Sequence, residues 1–396
     1  MMDTALTEKL DRRKQKLVGW GQVAPAQAVV TLLKSIFACS PVKRAGKVQR
    51  HAEATRRERE PDMSIKQYDT LSNDAILQLA HQALQAYPAC LHAEAKLLCR
   101  SENATLSVST PQGRYALRIH RGDYHAKPDI QSELHWLDAL QAAGISVPVA
   151  VSDGQGNRIQ TLPLPDGGER YAVLFHWIEG DMLTDAVDPE AFRQLGRITA
   201  QLHHHSRRWQ KPQGFRRLVW DHHTMVSPTG HWGDWRDVAG LARSQHAAVE
   251  ETLAHVSREM AAFGQSPDRY GLIHADLRLT NLLVHKGETR VIDFDDCGMG
   301  WYLHDLAAAI SFVEHHPSAP QWVENWLNGY EQVAHVSDEE LAMIPSLLIQ
   351  RRIQLTAWVA SHSETEMARS LGSGWAGDTV RLCHRYLEGA RLPIGV

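Results

Sequence analysis

Apolar and polar residues alternate through residues 97–121, LLCRSENATLSVSTPQGRYALRIHR, and Pro-Gln-Gly interrupts the run. A period of two predicts half-buried strands, and the interruption predicts a tight loop joining them. The spacing then becomes helical over 129–144, DIQSELHWLDALQAAG, ending at Gly144, a residue suited to a helix C-cap. Strand character returns in SVPVAVSD (146–153) and YAVLFHWIEG (171–180). Ahead of these, residues 63–84 predict a helix capped by Ser72 or Asn73, with Ile76, Leu77 and the stretch Leu79 to Leu84 as its apolar face.

From Asp188 onward helical spacing dominates. DPEAFRQLGRITAQLHHHSRRW (188–209) carries Pro189 at a first-turn position, and 244–263, 321–333, 341–362 and 375–390 read as further helices. Two short strands flank HKGE (285–288). The pattern therefore predicts an α+β chain with a small antiparallel-sheet lobe carrying one helix, residues 63–180, and a larger, mainly helical lobe, residues 181–396. Residues 40–62 are charged, mostly basic and poor in apolar residues. They predict a partly disordered N-terminal extension, 1–62, with a short amphipathic helix at 26–39. A basic arm that touches nucleic acid or membrane is the sharper alternative there.

Composition narrows the class. The chain has 396 residues, 43% hydrophobic and 22% charged, and a formal net charge of -4. Those values suit a globular protein and give no electrostatic footprint for nucleic acid. No apolar run reaches the ~20 residues of a membrane span. The five cysteines are scattered, with no C-x-x-C, and the N-terminus lacks a secretory pattern. Reduced thiols and a cytoplasmic location are the expectation. The histidine run 203–205 is read as one mixed face of a helix, with metal binding as the less favoured alternative.

Chemistry concentrates in HADLRLTN (274–281) and VIDFDD (291–296). An Asp on a loop after an apolar strand, Asp276, can act as a general base or orient a hydroxyl proton. Asn281 offers an amide oxygen and Asp293 a strand-end carboxylate, both hard ligands suited to Mg²⁺. Two such ligands beside a base are what phosphoryl transfer from ATP needs, since that chemistry is mainly positioning and charge neutralisation. In the first lobe, Arg118 lies on a strand beside the loop Ser101 to Thr105, and Glu133 lies on the next helix. A cation held by that carboxylate can meet phosphate oxygens. Asp295 and Asp296 are read either as aids to metal or substrate binding or as solvated turn carboxylates. Cys297 is expected to be inert. Trp209, Trp220, Trp232 and Trp235 are expected to pack the helical lobe.

These motifs, in this order over roughly residues 70–390, resemble the aminoglycoside phosphotransferase and choline kinase family of the protein-kinase-like fold. HADLRLTN fits H-x-D-x-x-x-x-N, and VIDFDD fits the [ILV]-D-[FW] stretch that follows it. The branch with bacterial stress-response kinase, hydroxylysine kinase and homoserine kinase type II is the most similar. The resemblance implies a two-lobed kinase fold. It implies Asp276 as the catalytic-loop residue, His274 as that loop's support, and Asn281 and Asp293 as metal ligands. It further implies Asp305 as a brace for the loop's backbone, and Arg118, Glu133, Ser101 and Asn103 at the ATP phosphates. Phe175 to Ile178 would meet adenine. Two departures stand out: the strand cation is Arg rather than Lys, and RSENAT replaces a glycine-rich phosphate loop. The cofactors implied are ATP and Mg²⁺.

The expected acceptor is a hydroxyl of a small molecule, an amino-alcohol, amino acid or related metabolite. An aminoglycoside is less favoured because the segment RRWQKPQGFRRLVWDHHTM (207–225) is basic. A Ser/Thr protein kinase of the stress-response type and a non-catalytic nucleotide-binding pseudokinase are the alternatives. Neither a nucleic-acid nor a membrane partner is expected, and oligomeric state is left open.

Overall fold

The computed structural model describes residues 71–100, 103–183, 188–372 and 374–395. The expectations for residues 1–62, for the start of the first helix and lobe at 63–70 and for Ser101 lie outside these. The chain opens with α1 (Asn73–Leu84), whose N-terminus is capped by the Ser72 hydroxyl, 3.1 Å from the Ala75 N–H. Five strands follow: β1 (Ala95–Arg100), β2 (Ala104–Thr110), β3 (Gly113–Ile119), β4 (Ile159–Pro163) and β5 (Glu169–His176). They form one antiparallel sheet in the order β1-β2-β3-β5-β4.

The alternation in the sequence decides which face each side chain takes. Leu106, Val108, Leu117, Ile119, Ala172 and Leu174 pack beneath α1 in a small core of their own. Val173 and Phe175 face the opposite way, towards α2 (Lys127–Ala142), and join the large core shared with the helical lobe. Arg118 sits between Leu117 and Ile119, so it takes this second face, where α2 presents Glu133. The sheet therefore carries two helices, one per face.

SVPVAVSD is not a full strand. It contributes one bridge, Ala150 to Phe175, alongside the end of β5 that β4 does not reach. Pro148 has no N–H to donate, which limits its pairing.

The helical lobe is built on α3 (Pro189–Arg208), α4 (His222–Val226), α5 (His246–Phe263), α6 (His304–Ala309), α7 (Ala319–Tyr330), α8 (Asp338–Ser361), α9 (Glu366–Ser370) and α10 (Trp375–Leu387). Asp188 caps α3, with Pro189 in its first turn as its spacing predicted. Helices α3 and α7 cross closely at two glycines. A Cβ on Gly196 would run into the Trp326 carbonyl, and one on Gly329 into the Arg193 carbonyl. Two small sheets carry the loops of interest: β6 (Asp181–Met182), β9 (Leu282–His285) and β10 (Glu288–Val291) form one, and β7 (Leu218–Trp220), β8 (Tyr270–Ile273) and β11 (Gly298–Trp301) the other. Among the described residues no helix is long and apolar enough to cross a membrane.

Candidate active site

The loop after β8 is set by its backbone. Ala275 has φ of +67°, an uncommon conformation for a residue with a Cβ. Asp305, on α6, holds it there, accepting the His274 N–H at 3.1 Å and the Ala275 N–H at 2.7 Å. Burial raises the Asp305 pKa, but a hydrogen bond from His203 and the neighbouring histidines outweigh it and hold the carboxyl below its ordinary range. His203 Nε2 lies 2.9 Å from Asp305 Oδ2, and its Nδ1 lies 2.9 Å from the Tyr330 hydroxyl. If Nε2 carries the proton, Nδ1 is free to accept from Tyr330, which satisfies the whole chain. The His203–205 run is thus divided: His203 is fully buried while His204 is exposed. His274 is also buried, with Nε2 3.1 Å from the Ile292 carbonyl and its ring 4.6 Å from that of Phe294. It ties the loop to the VIDFDD stretch.

Asp276 is gripped on both oxygens. Arg351 Nη2 donates to Oδ1 at 2.9 Å, and Arg278 donates to Oδ2 from Nη2 at 3.0 Å and from Nε at 3.2 Å. Asn281 donates its amide N–H to the Asp276 carbonyl at 2.8 Å and lies 3.3 Å from Oδ2. With the nitrogen end so engaged, the amide oxygen is the end with cation-binding chemistry. Asp293 has φ of +67° and is exposed. Loss of hydration among the surrounding protein atoms, together with the charges of Asp295 and Asp276, pushes its carboxyl up to about 7. A carboxylate destabilised by its neighbours is the kind that a dication stabilises. Among the described residues no three His, Cys, Asp or Glu side chains form a ready metal cage.

In the sheet lobe Arg118 pairs with Glu133 at 2.5 Å and approaches Asp295 at 3.8 Å, all three buried. Burial opposes the Arg118 charge, but Glu133 and Asp295 hold its pKa above the ordinary value. The guanidinium lies 5.1 Å from the Phe175 ring. Phe175 is buried, and Ile178 is half-buried just beyond β5. Asn103 uses its side-chain oxygen on the Arg121 N–H at 3.3 Å, so it shapes the loop after β3.

The solvated-turn reading of Asp295 and Asp296 is wrong. Both are buried: Asp295 has His120 and His125 at 3.4 Å each, and Asp296 accepts from the Tyr124 hydroxyl at 2.6 Å. Burial works against its charge, yet the two histidines and Arg118 hold Asp295 well below the carboxylate range. Cys297 is buried and pushed up to about 12, which agrees with an inert thiol. Trp220, Trp232 and Trp235 are buried and Trp209 packs against the same core, as expected. The argument from the basic segment loses force. Arg216 pairs with Asp129 at 2.6 Å, and Arg217 is buried against the Cys297 carbonyl at 2.7 Å and the Asp295 carbonyl. Arg216 is held on α2, and Arg217, which also donates to the Asp129 carbonyl at 3.0 Å, ties α2 to the 295–297 loop.

Sequence reasoning missed Arg351, His203, His120 and His125. The arginine pair Arg351-Arg352 in an otherwise apolar helix, LLIQRRIQL, was the available signal, because buried arginines need partners.

The sequence profile of the Phosphotransferase enzyme family (APH) matches residues 100–342. This chain belongs to that family. It is 22% identical over 271 residues to amicoumacin kinase of Bacillus subtilis, covering 66% of this chain and 78% of that one. It is 25% identical over 256 residues to homoserine kinase of Gluconobacter oxydans, covering 62% and 75% of the two chains. A solved microcompartment-associated aminopropanol kinase superposes with a TM-score of 0.74 at 40% identity, over 80% of this chain and 98% of that one. The resemblance read from the motifs is therefore correct. The APH chain has the two-lobed kinase-like fold and is a phosphotransferase with an alcohol group as acceptor.

Proposed function

We infer that this APH-family protein transfers the γ-phosphate of ATP, with Mg²⁺, to the hydroxyl of a small amino-alcohol or amino acid. The convergence of Asp276, Asn281 and Asp293 opposite the Arg118–Glu133 pair carries the reading. The 40% identity to an aminopropanol kinase favours a compact amino-alcohol over a bulky aminoglycoside. Asp276, fixed by two arginines, orients the acceptor hydroxyl and receives its proton. Asn281 through its amide oxygen and Asp293 through its carboxylate would hold Mg²⁺. Bound there, the ion neutralises charge on the phosphate oxygens during transfer. Arg118, braced by Glu133, meets the outer phosphates of the nucleotide. Phe175 to Ile178 line the adenine end.

The test is ATP turnover with Mg²⁺ against aminopropanol, homoserine, hydroxylysine and aminoglycosides, with Asp276→Ala beside the native protein. Turnover that depends on one small acceptor and is lost in the variant is the expected result. Phosphate transfer to protein acceptors alone, or nucleotide binding without any turnover, would overturn it.

A further inference from the structure

Arg118 is held from both lobes. Glu133 on α2 takes one end of its guanidinium at 2.5 Å, and Asp295, from the loop after β10, faces the other end at 3.8 Å. Asp295 is itself flanked by His120 and His125, at 3.4 Å each, both from the segment that follows β3. All five residues are buried. His120 Nδ1 faces Oδ1 and His125 Nε2 faces Oδ2 as ion-pair contacts without full hydrogen-bond geometry, and the other ring nitrogen of each histidine has no partner. A packed core does not collect such groups for stability, since burying polar atoms with incomplete hydrogen bonding is costly. Their common feature is the strand arginine.

We propose that Asp295 is a positioning residue for ATP. It fixes the second end of the Arg118 guanidinium from the helical lobe, so that the arginine meets the nucleotide phosphates in one orientation. His120 and His125 keep the Asp295 carboxylate in place. An arginine supported on one end can rotate about its pair with Glu133. One supported on both ends presents a fixed fork, and the arginine that replaces the family's lysine at this position needs that support more than a point charge would. The proposal rests on the phosphate role inferred for Arg118 above.

Calorimetric binding of ATP, with and without Mg²⁺, and of adenosine decides it. Asp295→Asn keeps the volume and removes the charge. ATP affinity should fall about tenfold under both metal conditions while adenosine binding is unchanged. In an Arg118→Ala background the same substitution should have no further effect. His125→Leu, which leaves the charges of Arg118 and Asp295 in place, should give the same split at smaller size, and it serves if Asp295→Asn does not fold. Equal weakening of ATP and adenosine, a loss seen only with Mg²⁺, or an undiminished effect without Arg118 would overturn the proposal. A native protein that binds no ATP would instead overturn the functional reading itself.

Discussion

Arg351 Nη2 donates to Asp276 Oδ1 at 2.9 Å from within α8, where the arginine is almost wholly buried. Its other nitrogens are engaged by the Ser311 hydroxyl at 3.0 Å and the Gln354 side-chain oxygen at 3.1 Å. The guanidinium is therefore fixed before any substrate arrives, and it fixes the Asp276 carboxylate in turn. Burial holds the Arg351 pKa below its ordinary value, with the Asp276 charge working against that shift.

Replacing this arginine should damage turnover more than binding. Arg351→Lys keeps a charge but loses the fork that spans Asp276, Ser311 and Gln354. A catalytic group displaced by about 1 Å costs on the order of 100-fold in rate. We expect kcat to fall by about that factor with little change in the KM for ATP. Steady-state kinetics on both substrates check it, and an unchanged kcat would assign Arg351 to stability alone.

The motif residues were legible because each stands beside an apolar strand run, Asp276 and Asn281 within HADLRLTN and Asp293 within VIDFDD. Asp276, Asn281 and Asp293 meet in the structure because β8, β9 and β10 return the chain to one place. What the sequence hid is support from far along the chain. Arg351 lies 75 residues from Asp276, and His203 lies 102 residues from Asp305. No local period encodes such pairings. β11 was missed for another reason: its sequence is GMGW, and glycines lower strand propensity. They are there because a Cβ on Gly298 would sit 2.5 Å from the Leu218 carbonyl, and one on Gly300 would sit 2.6 Å from Ile273.

The crossing of α3 and α7 gives a second prediction, about stability. Gly196 and Gly329 each lie against a backbone carbonyl of the opposite helix, which cannot move as a side-chain tip can. In an open helix Gly→Ala would stabilise by up to about 1 kcal/mol. Here the added methyl forces the helices apart, and overpacking of this kind costs about 1–3 kcal/mol. Gly196→Ala should therefore lower Tm by several degrees, with the double variant Gly196→Ala/Gly329→Ala lower still. A raised Tm in thermal unfolding would show that the crossing tolerates the methyl.

The third prediction concerns acid. His304 is fully buried, and neither ring nitrogen has a hydrogen-bond partner. Burial, followed by the charge of Arg351, pushes its pKa down from 6.5 to about 3. A base whose folded pKa lies below its unfolded value binds its proton in the unfolded chain first. Its contribution to stability is therefore complete above pH 6.5 and is lost as pH falls from 6.5 to about 3. Within that window the slope is up to about 1.4 kcal/mol per pH unit for one such group. His203 and His274 are shifted in the same direction by burial and steepen the loss. The depressed Asp305 acts in a lower window, since its stabilisation is intact above its unfolded value of 3.8 and fails only below it. Urea unfolding at pH 7.5, 6.5, 5.5 and 4.5 should show stability falling across the last three points. His304→Leu should flatten that fall by about one proton's worth. An equal slope in the variant would mean that His304 is protonated in the folded protein, with Asp305 as its counter-charge.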